Sequence, residues 1–224
     1  MNYFSICFSG IIMLFYSQAN SQDAKNIFSL YGHVAIPQGD FGDDTGQDAG
    51  LATTGFGGGI ELSIPTGSTN LYYLISANIL FNSLDDTEIK AMVRQMFPGL
   101  NVSVDVGSWM NIPIMAGLQY TAEINPTLKF TGSGKIGLNI VNGPVVEMNV
   151  EGVSAEIDYE TSTSFGFGIG GGILINDRIS IGLTYLGLDE PEINAKIKAQ
   201  GQSEDIDPFD QPISLLLISL GIAL

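Results

Sequence analysis

Apolar residues recur at every second position along eight stretches of this chain, and small or polar residues fill the positions between them. Successive side chains of a β-strand point to opposite faces of a sheet, so this period indicates strands with one apolar face and one mixed face. The eight stretches are residues 26–36, 54–64, 71–82, 109–121, 128–140, 163–175, 178–188 and 212–224. The pattern therefore predicts an all-β domain.

The connections between these strands alternate strictly between long and short. The short ones include Asn125-Pro126-Thr127 and the two-residue turn Asn176-Asp177. Long outer loops, short periplasmic turns and an even number of strands are typical of an outer-membrane barrel. A soluble sandwich or lipocalin gives no reason for such alternation. We therefore predict an eight-stranded antiparallel up-and-down transmembrane β-barrel, because no mature segment offers the ~20 consecutive apolar residues of a spanning helix.

The mixed face of the predicted strands carries few charges, which decides which face meets water. Charged residues make up only 14% of the chain, whereas ordinary soluble proteins have about 25%. The mixed face is rich in Gly, Ser, Thr and Asn, which suits the narrow lumen of a small barrel. Since a Lys or Arg at mid-bilayer costs about 2–4 kcal/mol, the apolar face, which lacks them, is expected to meet lipid.

The first 21 residues have the features of a secretory signal peptide. An apolar stretch over residues 3–16 is too short to span a bilayer, and small residues follow it at cleavage spacing. We expect residues 1–21 to be removed and residues 22–224 to form the barrel. Cys7 is the only cysteine and lies in this leader, so the mature chain is expected to have no disulfide and no thiol chemistry.

The chain is acidic, with 24 Asp and Glu residues, 8 Lys and Arg residues and a net charge of −16. This charge argues against binding to nucleic acid. Most of the acidic residues fall in the long connections, where solvated loops explain them. One long connection also predicts a helix over residues 85–97, with Ile89, Met92, Val93 and Met96 at helical spacing.

Three acidic residues of the first long connection could bind Ca²⁺. Asp43, Asp44 and Asp48 supply the hard oxygen ligands that this ion prefers. Their spacing does not match an EF-hand loop, and divalent cations that bridge lipopolysaccharide phosphates are an alternative. We therefore predict no dedicated metal site and no cofactor.

The single histidine, His33, is expected to point into the lumen. A catalytic histidine needs a nucleophile and an orienting group within reach. Ser29 lies on the same face, but the sequence indicates no third partner, no GxSxG motif and no metal-ligand spacing. We therefore expect a hydrogen-bonding role for His33 and no enzymatic activity.

Four charged residues of the mixed face form a candidate lumen network. Glu61 is expected to pair with one of the three bases Lys129, Lys135 and Arg178, because buried charges must pair. Together with His33 they would form a structural network that helps to close the lumen. Since an eight-stranded barrel leaves little open water path, a diffusion pore is not expected.

Several segments resemble a known family of barrel proteins. They are SLYGHVAIPQGDFGD, TTGFGGGIEL, NIPIMAGLQY and FGFGIGGGILINDRISIGLTYLGL. These segments are similar to outer-membrane β-barrel domain proteins of the Bacteroidetes type, which are often described as porin-family or OmpA-like. The resemblance spans nearly the whole mature chain and implies fold and location rather than activity. It departs at Leu224, where such barrels usually carry an aromatic residue read by the barrel-assembly machinery.

These observations predict a small outer-membrane barrel with a mostly filled lumen and a structural or surface-interaction role through acidic extracellular loops. Two alternatives remain open: a narrow porin-like channel for small solutes, and a soluble barrel that binds an apolar ligand. The expected partners are outer-membrane lipid, lipopolysaccharide and, during biogenesis, the barrel-assembly machinery. The barrel is expected to be a monomer, and the sequence does not indicate its extracellular partner.

Overall fold

The computed structural model describes residues 25–46, 49–67, 70–96, 98–151, 153–199 and 202–224. The expected signal peptide, with Cys7, lies outside these residues, and so does Asp48. The described residues form a short 3₁₀ turn, Gly39–Phe41, together with one helix and thirteen strands. In chain order these are β1 (Ile27–Pro37), β2 (Gly55–Pro65), β3 (Leu71–Ser83), α1 (Asp86–Met96), β4 (Val102–Val106), β5 (Ser108–Asn125), β6 (Leu128–Asn142), β7 (Val146–Val150), β8 (Val153–Tyr159), β9 (Ser162–Ile175), β10 (Ile179–Gly187), β11 (Glu192–Ala199), β12 (Gln202–Asp210) and β13 (Ser214–Ala223).

Eight of the strands close into an antiparallel barrel in the order β1-β13-β10-β9-β6-β5-β3-β2. Strand β1 completes the closure, since Gly32 lies opposite Gly58 of β2 on one side and opposite Leu220 of β13 on the other. Each barrel strand overlaps one of the eight predicted strands. The predicted fold class is therefore confirmed.

The apolar face of the barrel points outward. Phe56 is 71% exposed and Ile169 is 64% exposed, whereas the inward-facing Ser76 and Asn139 are buried. An exposed apolar belt around a whole barrel is far larger than the patches that soluble proteins carry, and lipid is the solvent that fits it. The alternative of a soluble barrel that holds an apolar ligand is therefore wrong, because the apolar side chains cover the outside.

Two of the short turns have the chemistry that their sequences predict. Asn176 and Asp177 have φ angles of 51° and 54°, which a two-residue type I′ hairpin requires and which Asn and Asp tolerate. At the other turn, the Asn125 side-chain oxygen accepts a hydrogen bond from the Thr127 N–H at 3.0 Å, as in an Asx turn. Both turns lie at the same end of the barrel, called here the short-turn end.

The long connections are more regular than the sequence indicates. Strands β4, β7, β8, β11 and β12 form a five-stranded sheet in the order β12-β11-β8-β7-β4, called here the outer sheet. The prediction of loops for these segments is therefore wrong, although many of their residues are exposed to solvent as expected. Strand β12 illustrates why the sequence does not reveal these strands. Every one of its residues is exposed, so it has no alternation of apolar and polar residues that would indicate a strand.

Helix α1 confirms the helix predicted over residues 85–97. Val93 on its apolar face packs with Val104 of β4 and Val146 of β7, and all three side chains are buried. This small core attaches the helix to the β4 end of the outer sheet. The sheet therefore rests on packed apolar side chains and not on polar contacts alone.

Candidate functional site

A cluster of buried apolar side chains, called here the plug, fills the lumen at the end of the barrel where the long connections begin. Its members are Ala35, Phe41, Ala52, Leu80, Trp109, Met115, Val141, Leu186, Leu188, Ile193, Ile213, Leu215 and Leu217. The 3₁₀ turn brings Phe41 against Trp109, with ring centroids 5.8 Å apart. The Trp109 indole N–H donates a hydrogen bond to the Gly50 carbonyl oxygen at 3.1 Å. Each member is at most 5% exposed, so the plug is packed like a soluble core.

Glycines of β9 make room for the plug. A Cβ atom at Gly168 would lie 2.9 Å from a methyl carbon of Leu186 and 3.6 Å from the Met115 sulfur. A Cβ atom at Gly166 would lie 3.1 Å from both Leu188 and Met115. The alternate glycines of this strand therefore leave the space that large side chains of other strands occupy.

A belt of polar side chains crosses the lumen on the short-turn side of the plug. Lys135 Nζ lies 3.5 Å from Glu61 Oε2, and both side chains are largely buried. The Tyr31 hydroxyl donates a hydrogen bond to Glu61 Oε1 at 3.2 Å. The structure thus brings Glu61 together with one of the three bases proposed for it.

The other two bases of the candidate network lie elsewhere. Lys129 Nζ is 2.6 Å from Asp177 Oδ1, at the rim of the barrel. Arg178 is in no ion pair among the described residues. Lys129 and Arg178 form no ion pair with Glu61 among the described residues, because both lie nearer the short-turn end, although they line the same lumen cavity as Glu61.

His33 bridges two strands through its ring. Its Nδ1 atom lies 2.8 Å from the Ser219 hydroxyl oxygen, and its Nε2 atom lies 3.0 Å from the side-chain oxygen of Asn78. The ring also stacks on Tyr31, with centroids 5.9 Å apart and planes 6° from parallel. Sequence reasoning missed Ser219 and Asn78, because they stand 186 and 45 residues away along the chain.

Two cavities lie in the lumen on the short-turn side of the plug. The inner one has a volume of about 70 Å³ and is lined by His33, Asn78 and Ser219 among others. The outer one has a volume of about 590 Å³ and reaches Lys129 and Arg178 at the short-turn end. The two share Tyr31, Glu61, Gln119, Thr131 and Ser180 as lining residues, so they adjoin each other.

Two buried side-chain amides near the plug, those of Asn111 and Asn139, each have one polar atom with a hydrogen-bond partner and one without, among the described residues. The Asn139 side-chain N–H donates a hydrogen bond to the Asn111 side-chain oxygen at 2.9 Å. Asn111 Nδ2 and Asn139 Oδ1 have no hydrogen-bond partner among the described residues. A buried polar atom without a partner costs about 1–3 kcal/mol, so this pair is a weak point in the packing.

The net charge of the chain is concentrated at one end. Twenty of the 24 acidic residues and four of the 8 basic residues lie in the four long connections, which therefore carry the whole charge of −16. The barrel strands, the short turns and the N-terminal segment together are neutral. The negative charge is therefore concentrated at the end of the barrel that bears the outer sheet.

A row of carboxylates crosses the outer sheet. Asp105 of β4 lies directly opposite Glu147 of β7, and Glu147 lies directly opposite Glu156 of β8. Lys198 of β11 continues the row, and its Nζ lies 3.0 Å from Glu156 and 2.9 Å from Asp158. Hydrogen bonds from Lys198 to these two carboxylates raise the pKa of its ammonium group. Like charges directly opposite each other destabilise a sheet. Lys198 offsets this at Glu156, whereas among the described residues no ion pair offsets the repulsion between Asp105 and Glu147.

Within the described part of the chain, no group of three or more His, Cys, Asp or Glu residues is placed to hold a metal ion. Asp43 and Asp44 are exposed on the connection after β1. Across the described ranges, no helix is long and apolar enough to cross a membrane.

Comparison with known proteins gives the family of the chain. The model of the family described as outer membrane protein beta-barrel domain matches residues 8–205. The chain is similar in fold to the outer membrane protein OprG from Pseudomonas aeruginosa, with 12% identity, 91% of this chain and 98% of that chain covered, and a TM-score of 0.50. It is similar to a major outer membrane protein from Thermus thermophilus, with 12% identity, coverage of 89% and 99%, and a TM-score of 0.54.

No curated protein sequence matches the chain significantly. Identities this low show a shared fold and nothing about activity. The expected Bacteroidetes type is not tested by these comparisons and stays a prediction. Because the family model covers most of the chain, this protein belongs to the outer membrane β-barrel domain family and is an eight-stranded barrel of the outer membrane.

Proposed function

We propose that this protein is a closed, non-conducting barrel that binds cationic partners at the cell surface through its outer sheet. The observation that carries the proposal is the cross-strand row of Asp105, Glu147 and Glu156 on an ordered sheet. Such a row lowers stability, and a bound cation or basic segment would relieve the repulsion. Partners with the opposite charge would also be steered to this end of the barrel.

The partner that fits best is a basic protein segment. The row extends over three neighbouring strands, and adjacent strands lie about 4.8 Å apart, which suits a chain of spaced Lys or Arg side chains better than one small ion. The carboxylates of the row belong to no group placed to hold a metal ion among the described residues. An extended basic segment could contact all three carboxylates at once.

Binding of a fluorescent decalysine peptide to the refolded barrel tests this role. The variant with Glu147→Gln and Glu156→Gln is expected to bind about 5- to 10-fold more weakly, since each exposed charge pair contributes up to about 1 kcal/mol. The matched control, Asp43→Asn with Asp44→Asn, removes two charges outside the outer sheet. Equal losses in the two variants would show attraction to net charge and refute a site on the sheet.

A narrow channel for small solutes is the second candidate, favoured by the polar cavity of about 590 Å³ in the lumen. The plug argues against it, because buried apolar side chains give ions no hydrated path. In planar bilayers the wild-type barrel is expected to show no steady conductance. The variant with Phe41→Gly and Trp109→Gly removes the two largest plug side chains and is expected to open transiently. Steady wild-type channels would favour transport.

A further inference from the structure

The proposed surface role leaves the lumen without a function, although the lumen holds a hydrogen-bonded row of serine, histidine and asparagine. The Ser219 oxygen lies 2.8 Å from His33 Nδ1, and His33 Nε2 lies 3.0 Å from the Asn78 oxygen. A nucleophile within hydrogen-bond distance of a base, which a third group orients, is the arrangement that activates a serine. All three side chains line the inner cavity of about 70 Å³.

The hydrogen bonds of His33 determine which of its ring nitrogens carries the hydrogen. The Asn78 side-chain oxygen can only accept, so His33 Nε2 must donate to it and carries the hydrogen. His33 Nδ1 is then left with a lone pair, and the Ser219 hydroxyl donates to it. Asn78 therefore acts as a positioning residue that holds His33 in the tautomer required of a general base.

A glycine on the strand between His33 and Asn78 makes this row possible. Strand β2 lies between β1 and β3 in the barrel. A Cβ atom at Gly59 of β2 would lie 2.0 Å from the Asn78 side-chain oxygen. Since Gly59 has no side chain, Asn78 can reach across β2 to the imidazole of His33. Any larger residue at Gly59 would displace Asn78.

We propose that Ser219 is a nucleophile, activated by His33, that cleaves small esters which enter the lumen from the short-turn end. The Ser219 oxygen attacks the carbonyl carbon, and its proton passes to His33 Nδ1. The ester C–O bond then breaks, and the leaving alcohol takes the proton from His33. Water hydrolyses the acyl-serine by the same route, which restores Ser219 and releases the acid.

The two cavities set the substrate class. The small inner cavity limits the acyl group to a few heavy atoms, such as acetyl. The larger adjoining cavity can hold the leaving alcohol. The Lys135 ammonium and the Thr184 hydroxyl line the inner cavity and are donors available to the oxyanion. The lumen row of Ser219, His33 and Asn78 shares no residue with the outer sheet, so a test that refutes one of the two activities leaves the other untouched.

Acetylation by p-nitrophenyl acetate tests the proposal on the refolded, detergent-solubilised barrel. Release of p-nitrophenolate gives the rate, and peptide mapping locates the acetyl group. The wild type is expected to be acetylated at Ser219, with a rate that rises as the histidine loses its proton. Ser219→Ala and His33→Gln are each expected to lose at least about 100-fold of that rate. The control Ser76→Ala removes a buried lumen serine that lines neither cavity, and it should leave the rate unchanged.

Two further results decide between catalysis and a purely structural hydrogen bond. In barrels that retain heat-modifiable gel mobility, Gly59→Ala is expected to lower the rate but to keep its pH dependence, since it displaces Asn78 and leaves His33 in place, whereas His33→Gln should remove that dependence. A wild-type rate equal to that of Ser219→Ala, or an acetyl group found only on lysine, would overturn the proposal. If His33→Gln or Gly59→Ala does not fold, the comparison of wild type with Ser219→Ala still decides.

Discussion

Glu61→Gln removes the lumen ion pair while keeping the shape of the side chain. Lys135 Nζ and Glu61 Oε2 are 3.5 Å apart, and the two side chains are 9% and 14% exposed. At an effective dielectric constant of 20, their attraction is on the order of 5 kcal/mol. Desolvation of the two charges offsets part of it, while removal of one partner leaves a buried charge unpaired. We expect Glu61→Gln to lower the free energy of unfolding by about 2–4 kcal/mol.

Urea unfolding in detergent micelles measures this change, with the fluorescence of Trp109, the only tryptophan, as the signal. The control Asp177→Asn breaks the Lys129 pair, whose carboxylate side chain is 57% exposed, and should cost no more than about 1 kcal/mol. The double variant Glu61→Gln with Lys135→Met should recover most of the loss, because no unpaired charge remains. A loss for Glu61→Gln no larger than that of Asp177→Asn would refute the reasoning.

Three other perturbations test the packing. Gly117→Ala should reduce the yield of heat-modifiable barrel far more than Gly134→Ala, because a Cβ atom at Gly117 would lie 2.0 Å from the Gly134 carbonyl oxygen, whereas one at Gly134 meets nothing within 4 Å. Asn111→Leu and Asn139→Leu should each cost about 1–3 kcal/mol in urea unfolding, and the double variant should be nearly neutral; additive losses would contradict this. Burial raises the pKa of Tyr159, so its contribution to stability is complete below its unfolded pKa and is lost as the pH rises through its folded pKa. Tyr159→Phe should abolish that loss of stability at alkaline pH, which near-UV circular dichroism measures.

The barrel could be predicted from the sequence because lipid imposes one rule on every spanning strand. An outward position such as Ile136 must be apolar, and an inward position such as Ser133 must be small or polar to fit the lumen. The outer sheet obeys no such rule. Its apolar side is shared among separate connections, with Val104 from one and Val146 from the next, so no single segment shows a recognisable period.

The lumen site could be predicted only in part, for a similar reason. Glu61 and Lys135 stand out because charges on the mixed face are rare. The partners of His33 do not, because serine and asparagine are common on that face. Only barrel closure places β13 beside β1, and so brings Ser219 to His33. The glycines of β2 indicate that side chains of neighbouring strands pass close to it, but the sequence does not show which side chains these are.

The strands of the outer sheet come from three different connections: β4 follows β3, β7 and β8 follow β6, and β11 and β12 follow β10. Pairing between β4 and β7, and between β8 and β11, therefore joins segments that only the finished barrel holds together. A molecule that recognises this surface would bind complete barrels and ignore folding intermediates or nicked chains. The sheet would thus make an epitope that is complete only when the barrel beneath it has been assembled correctly.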